Sequence, residues 1–189
     1  MTRIAALCLL LGIAQPVLAA PFGIDQLMAK MASNKRSTAT FSEKKFFAIM
    51  DQPVESSGEL LFIPPNRLEK RTLKPKQETL VLDGDVLNVE RRGKKHVLKL
   101  SSYPEIAGMI ESIRATLAGD RKALEQVYHL NLHGGDGGWV LVLTPREARV
   151  ADIVSRIRME GARDEVRRME ILLADGDRSV MSIRQGAAQ

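Results

Sequence analysis

Three histidines, His96, His129 and His133, are the first candidates for chemistry in this 189-residue sequence. His129 and His133 stand four apart, which would pair them as metal ligands on a helix. Their segment, Gln126 to His133, reads as a strand, where that spacing keeps one face but sets the rings too far apart to share an ion. No Glu-x-x-His set and no cysteine ligand completes a site. "HGGDGGW" lacks the Gly-Lys-Ser/Thr ending of a phosphate loop and lies between strands, not before a helix. "DGDVLNVE" and "DGDRS" begin like calcium loops but miss the closing glutamate, and both fit hairpin turns. No Gly-x-Ser-x-Gly elbow occurs and the serines lack an evident base. The expectation is a protein without catalytic residues, metal or cofactor.

The chain opens with Met1-Thr2-Arg3, then an apolar run from Ile4 to Ala14, then small residues at Val17-Leu18-Ala19. That is the layout of a secretory signal, with residues 1–19 removed and 20–189 forming a single domain. The only cysteine, Cys8, sits too early in the run for lipid attachment at the cleavage point, so the mature chain has no thiol. The expected compartment is the periplasm. Removing Arg3, the one charged residue of the segment, lowers the formal charge from +5 to +4. This mild excess favours acidic partners or anionic lipid surfaces. Aromatics make up 4% of the chain, too few for stacking platforms, so no nucleic acid is expected.

The elements that would position any site are mostly strands. Ile24 to Ala32 reads as a helix, with Ile24, Leu27, Met28 and Met31 at helical spacing and Asp25 in the first turn. Strand character follows over Ser37 to Ile49. Glu78 to Leu82, Val86 to Arg91 and His96 to Leu100 form a meander, with turns at Asp83-Gly84 and Arg92-Gly93-Lys94. Pro104 to Leu117 returns to helical period, with Ile106, Met109, Ile110, Ile113 and Leu117 on one stripe and Gly119 as its stop. Asp120 is suited to cap a short helical turn, Lys122 to Glu125. Strands resume at Gln126 to His133, Trp139 to Thr144, Val150 to Glu160, Glu165 to Leu173 and Ser179 to Arg184. The fold class is mainly β with α: ten or eleven antiparallel strands that curl towards a barrel or half-barrel, with helices over its open face.

One stretch, "GELLFIPPNRLEKRTLKP" from Gly58 to Pro75, joins an oily strand to a charged one through a Pro-Pro corner. Leu60 and Phe62 share one face, Leu61 and Ile63 the other. Pro64-Pro65 removes two ladder donors and forces a bend. Glu69, Lys70 and Arg71 then ask for water at a rim. The pattern suits a container with a greasy floor, but periodicity alone favours an ordinary β core with an edge strand.

The order "FSEKKFF", "SSGELLFIPPNRLEKRTLKP" and "LVLDGDVLNVE" resembles the periplasmic lipoprotein carrier family, LolA. Its typical elements match Phe41, Glu43 and Lys44 or Lys45; Ser56, Gly58, Leu60 and Phe62; Pro65 and Leu68; Thr72 and Pro75; Asp83 and Gly84. "WVLVLTP" and "DGDRSVMSI" fit the later strands. The resemblance implies an incomplete antiparallel barrel whose helices form a lid over an apolar cavity that carries acyl chains. The implied cavity residues are Phe41, Leu60, Phe62, Leu68, Leu80 and Leu82. The implied lid residues are Leu27, Met28, Met31, Ile106, Met109, Ile110 and Ile113. Flexible Met28, Met31 and Met109 suit a pocket that re-packs around its cargo, or plain core packing.

Two departures stand out. The family commonly has a latch arginine where this chain has Pro64, leaving Arg67 or Arg71 as substitutes in latching or docking. The chain also ends in "RQGAAQ" where family members add a strand. Both point to a divergent paralogue. The implied partners are an acylated lipoprotein or other lipid, such as a glycolipid or lipid-linked pigment, an inner-membrane donor and an outer-membrane acceptor, with the protein a monomer. Two other functional classes make different demands on the residues. An envelope-stress regulator on the same half-barrel would bind a signalling protein tightly, and a lipid hydrolase would need a nucleophile and base.

Overall fold

The computed structural model describes residues 22–186. Helix α1 (Ile24–Ala32) precedes six strands, β1 (Ser37–Phe46), β2 (Val54–Ile63), β3 (Arg67–Lys74), β4 (Glu78–Asp83), β5 (Val86–Arg91) and β6 (Lys94–Lys99). Helices α2 (Pro104–Ala118) and α3 (Arg121–Val127) follow. The chain then forms β7 (Tyr128–Gly135), β8 (Gly138–Pro145), the single-turn α4 (Ala148–Ala151), β9 (Val154–Ala162), β10 (Glu165–Leu173) and β11 (Arg178–Gln185). The expected signal segment, with Cys8, lies outside the described residues. No helix among the described residues is long and apolar enough to cross a membrane.

All strands join one antiparallel sheet in the order β6-β5-β4-β3-β2-β1-β11-β10-β9-β8-β7. Each half is a meander of sequential hairpins. The halves meet where β1 pairs with β11, from Ala39 opposite Gln185 to Phe46 opposite Arg178. Strands β6 and β7 remain edges, so the sheet is an open half-barrel.

Turn chemistry sets the hairpins. Gly84, Gly93 and Gly176 take positive φ at the β4–β5, β5–β6 and β10–β11 turns. The two prolines end β2 at Ile63, and β3 starts again at Arg67. Helix α1 places Leu27, Met28 and Met31 on one buried face, with Asp25 in its first turn and Lys30 in its last. That face packs on Trp139, Leu141, Leu143, Ile157 and Met159 of β8 and β9. Trp139 is anchored further by donating from Nε1 to the Arg163 carbonyl, 3.1 Å. This is the main hydrophobic core, and α2 borders it through Met109, Ile113 and Leu117.

Several boundaries differ from the sequence reading; β6 runs from Lys94 to Lys99 and not from His96 to Leu100, and three others shift for identifiable reasons. Strand β1 ends at Phe46, because Met50 N donates to Phe47 O (3.0 Å) and closes a turn there. Strand β7 begins at Tyr128, because α3 extends to Val127. Asp120 caps that helix by accepting from Ala123 N at 3.0 Å, and Leu124 is buried. Val150 belongs to α4, where its N–H donates to the Glu147 carbonyl (3.1 Å), and the strand starts only at Val154. The short apolar segment around Val150 carried too few residues for its period to separate helix from strand.

Helix α2 ends on Gly119 at φ 70°, and a Cβ there would lie 2.2 Å from the Met28 carbonyl oxygen and 2.6 Å from Ala32 N. Only glycine permits this approach of α2 to α1. Gly119→Ala is expected to cost about 3 kcal/mol, since strain and a backbone clash add. Gly93→Ala, at φ 72° with open space around it, should cost about 1 kcal/mol. Thermal denaturation of both variants measures the difference, and equal losses would remove the α1–α2 contact as the cause.

Candidate functional site

Cross-strand partners project to the same face of a sheet, so register decides which side chains meet. Phe41 stands opposite Gly58 and Ala39 opposite Leu60. Leu60 faces Lys70, and Phe62 faces Leu68. Leu68 in turn faces Leu82, and Lys70 faces Leu80. The register therefore places Phe41, Leu60, Phe62, Leu68, Leu80 and Leu82 on one side of the sheet. Met181 opposite Glu43, Met169 opposite Met181, and Met159 opposite Met169 carry the same side across the second half. Leu141 opposite Met159 continues it into the core beneath α1.

Between this face and α2 lies a cavity of about 110 Å³. Leu60, Phe62 and Leu68 line it from one half of the sheet, and Met159, Met169, Met181 and Ile183 from the other. Ile113 and Leu117 line it from the helix. Phe41, Leu80 and Leu82 share the face but lie outside the lining. Leu27, Met28 and Met31 are buried in the core, and Met109 packs against that core. Ile106 is 40% exposed, and Ile110 is half-buried.

The methionines that reach the cavity were not singled out from the sequence, yet each carries a period-two signal: Ile157 with Met159, Met169 with Ile171, Met181 with Ile183. His129 and His133 are exposed, and the described residues contain no cluster of ligands able to hold a metal.

The concave face also holds charge. Glu43 is 5% exposed, and its carboxylate accepts from Lys70 Nζ (2.6 Å), Ser56 Oγ (3.2 Å) and Ser179 Oγ (2.7 Å). Lys70 starts from β3 and Glu43 from β1, so the lysine stem crosses β2. Gly58 lies between Phe41 and Thr72 in that row and offers no side chain. The lysine ammonium lies 4.8 Å from the centre of the Phe41 ring. Burial alone would raise the Glu43 pKa. The charge and hydrogen bond of Lys70, the Ser179 hydrogen bond and the charge of Lys45 together outweigh it and hold the pKa below the usual 4.5.

The two arginines considered for the latch lie on the opposite face of β3. Arg67 pairs with Asp83 (3.3 Å) and Glu69 (3.5 Å), and Arg71 with Glu69 (3.1 Å) and Glu59 (3.8 Å). A different arginine spans helix and corner. Arg114 of α2 is held by Glu111 on its own helix through Nε (2.8 Å) and reaches Asn66 in the Pro-Pro corner. The linkage thus has its cation on the helix and its acceptor in the turn between β2 and β3.

A carboxylate whose pKa is lowered by folding contributes stability above its unfolded value of 4.5, and that contribution is lost as pH falls through the folded value. The acid limb of stability against pH should therefore be shallower in Glu43→Gln than in the wild type, by up to one proton. At neutral pH the same variant should lose about 2 kcal/mol, because Lys70 keeps its charge without a partner. Denaturant titrations between pH 3 and pH 7 test both, and an unchanged acid limb would show that folding does not lower the Glu43 pKa.

Residues 17–189 match the family model described as outer membrane lipoprotein carrier protein LolA-like. No curated protein matches the sequence. Among solved structures, a LolA superfamily protein from Nitrosomonas europaea aligns at 12% identity and TM-score 0.49, covering 90% of this chain and 95% of its own. The Mycobacterium tuberculosis lipoprotein LppX aligns at 10% and 0.44, covering 86% and 96%. The Pseudomonas aeruginosa MucA/MucB complex structure aligns at 16% and 0.43, covering 88% and 56%. With the family model spanning the open sheet, its concave face and the helices above it, the chain belongs to the LolA-like outer membrane lipoprotein carrier family.

Proposed function

We propose that this protein is a periplasmic carrier that shelters the acyl chains of a lipoprotein or other lipid and passes them from the inner to the outer membrane. The supporting observation is the apolar cavity between α2 and both halves of the sheet, at the end of a continuous inward-facing row. Water disfavours an acyl chain by roughly 0.8 kcal/mol per CH₂, and burial against Leu60, Phe62 and Ile113 offsets that cost.

The void of about 110 Å³ is smaller than the ~300 Å³ at the low end of ligand pockets. Loading therefore requires side chains to rotate and α2 to shift. The three lining methionines suit the first demand, being unbranched and polarizable. The exposed Arg114–Asn66 contact suits the second, because an exposed pair of this kind is worth little more than about 1 kcal/mol and breaks readily. The departure at Pro64 leaves the cargo open among lipoproteins, glycolipids and lipid-linked pigments.

Native mass spectrometry of the purified protein, with lipid extraction of the same sample, tests the reading. Bound acylated species are the expected result, and their masses identify the cargo class. Protein that is free of lipid and also refuses added lipid would instead favour a regulator that uses the same fold. Leu60→Glu and Ile113→Glu each set a carboxylate against the cavity, one from the sheet and one from the helix. Each should lower lipid retention at least about tenfold with circular dichroism unchanged. A folded Leu60→Glu protein that retains lipid would place the acyl chain elsewhere.

A further inference from the structure

The polar cluster of the concave face is unevenly satisfied. Both Glu43 oxygens are engaged, Oε1 by Ser179 and Oε2 by Ser56 and Lys70. Lys70 gives one donor to Glu43 and lies over Phe41, and its other ammonium donors meet no protein acceptor among the described residues. Its side chain keeps 23% exposure. Lys45, the next inward residue along β1, adds a second positive charge near the carboxylate. Glu78, the other inward carboxylate on β1 to β4, already pairs with Arg91 at 3.6 Å. The unused hydrogen-bonding capacity of this end is cationic and donating. It also adjoins the cavity, because the residue opposite Lys70 on β2 is Leu60, and Leu60 and Leu68 line the void.

We propose that Lys70 is the polar end of the cargo site and receives an anionic oxygen, phosphate or carboxylate, at the head of a lipid whose tail enters the cavity under α2. Glu43 holds the ammonium in position, and the two serines keep Glu43 from competing for other donors. A charge-assisted hydrogen bond in a poorly solvated site discriminates an anionic head from a neutral one by about tenfold or more. The assignment rests on the carrier reading and adds to it a class of cargo, acylated and anionic.

The test compares two lipids with the same tails, dioleoylphosphatidylglycerol and dioleoylglycerol, offered from detergent to the wild type and to Lys70→Met/Glu43→Gln. Removing both charges together leaves no orphaned ion in the fold. The wild type should prefer the anionic lipid about tenfold, and the double variant should bind both equally, with dioleoylglycerol uptake unchanged. A double variant that keeps the preference overturns the role of Lys70. A wild type that takes up both lipids equally overturns headgroup selection while carriage stands. Binding of neither lipid removes carriage itself, and this assignment with it. Inorganic phosphate that binds the wild type but not the variant, without any lipid preference, would make the site one for the free anion. Should the double variant fail to fold, Lys70→Gln/Glu43→Gln, whose two amides can still hydrogen-bond, gives the same comparison, and retained preference there counts against the proposal.

Discussion

Cross-strand register is the constraint from which the concave face follows. Side chains alternate along a strand, so a slip of one residue would exchange every inward group for an outward one. Strand β2 does not resist such a slip by itself, since Leu60, Leu61, Phe62 and Ile63 make both of its faces apolar. Its neighbours and one glycine do. Phe41 and Glu43 on β1 alternate with exposed Ser42 and Lys44. At Gly58 the β2–β3 register shifts, and a Cβ there would fall 1.9 Å from the Arg71 carbonyl oxygen. Only a residue without a side chain fits, which fixes the position of β2 against β3 and so turns Leu60 and Phe62 inward.

The ion pair on that face is understood less as a source of stability than as a device for position. Withdrawing two charges from water costs several kcal/mol, and their attraction recovers this only with good geometry and further hydrogen bonds. Glu43 has both. The pair joins β1 to β3 across β2, and Ser179 extends the connection to β11. Four strands from both halves of the sheet are therefore bound at one point of the inner surface. An apolar cluster would hold the strands as firmly but without orientation, because dispersion and burial are not directional.

Much of this was legible beforehand, and for physical reasons. Turn residues and strand alternation are local, so the Asp83-Gly84 hairpin, the Pro-Pro corner and the helix ending at Gly119 could be read from neighbours in sequence. The six inward residues from Phe41 to Leu82 were named together through the family resemblance, and they share a face. What stayed hidden depends on contacts far apart in the chain. Met159, Met169 and Met181 meet Leu60 only because β11 closes on β1. The link from Arg114 to Asn66 spans a whole meander, and although Arg114 is the one basic residue of α2, its partner is far away in the sequence. Leu27, Met28 and Met31 have the helical spacing of a cover, but their surroundings decide between core and cavity, and Trp139 fills the space beneath them.

The join at β1–β11 has a consequence for how the molecule comes into being. The two central strands are the first and the last of the described strands to emerge during synthesis. Until β11 appears, β1 has a partner on one side only, and the concave face has no second wall. Pairings between such distant segments form slowly, because the loop they close is long. A nascent chain can make local hairpins early while the greasy surface stays undivided and exposed. Completion waits for β9 to β11, which leaves the apolar concave face dependent on protection until the last strands have formed.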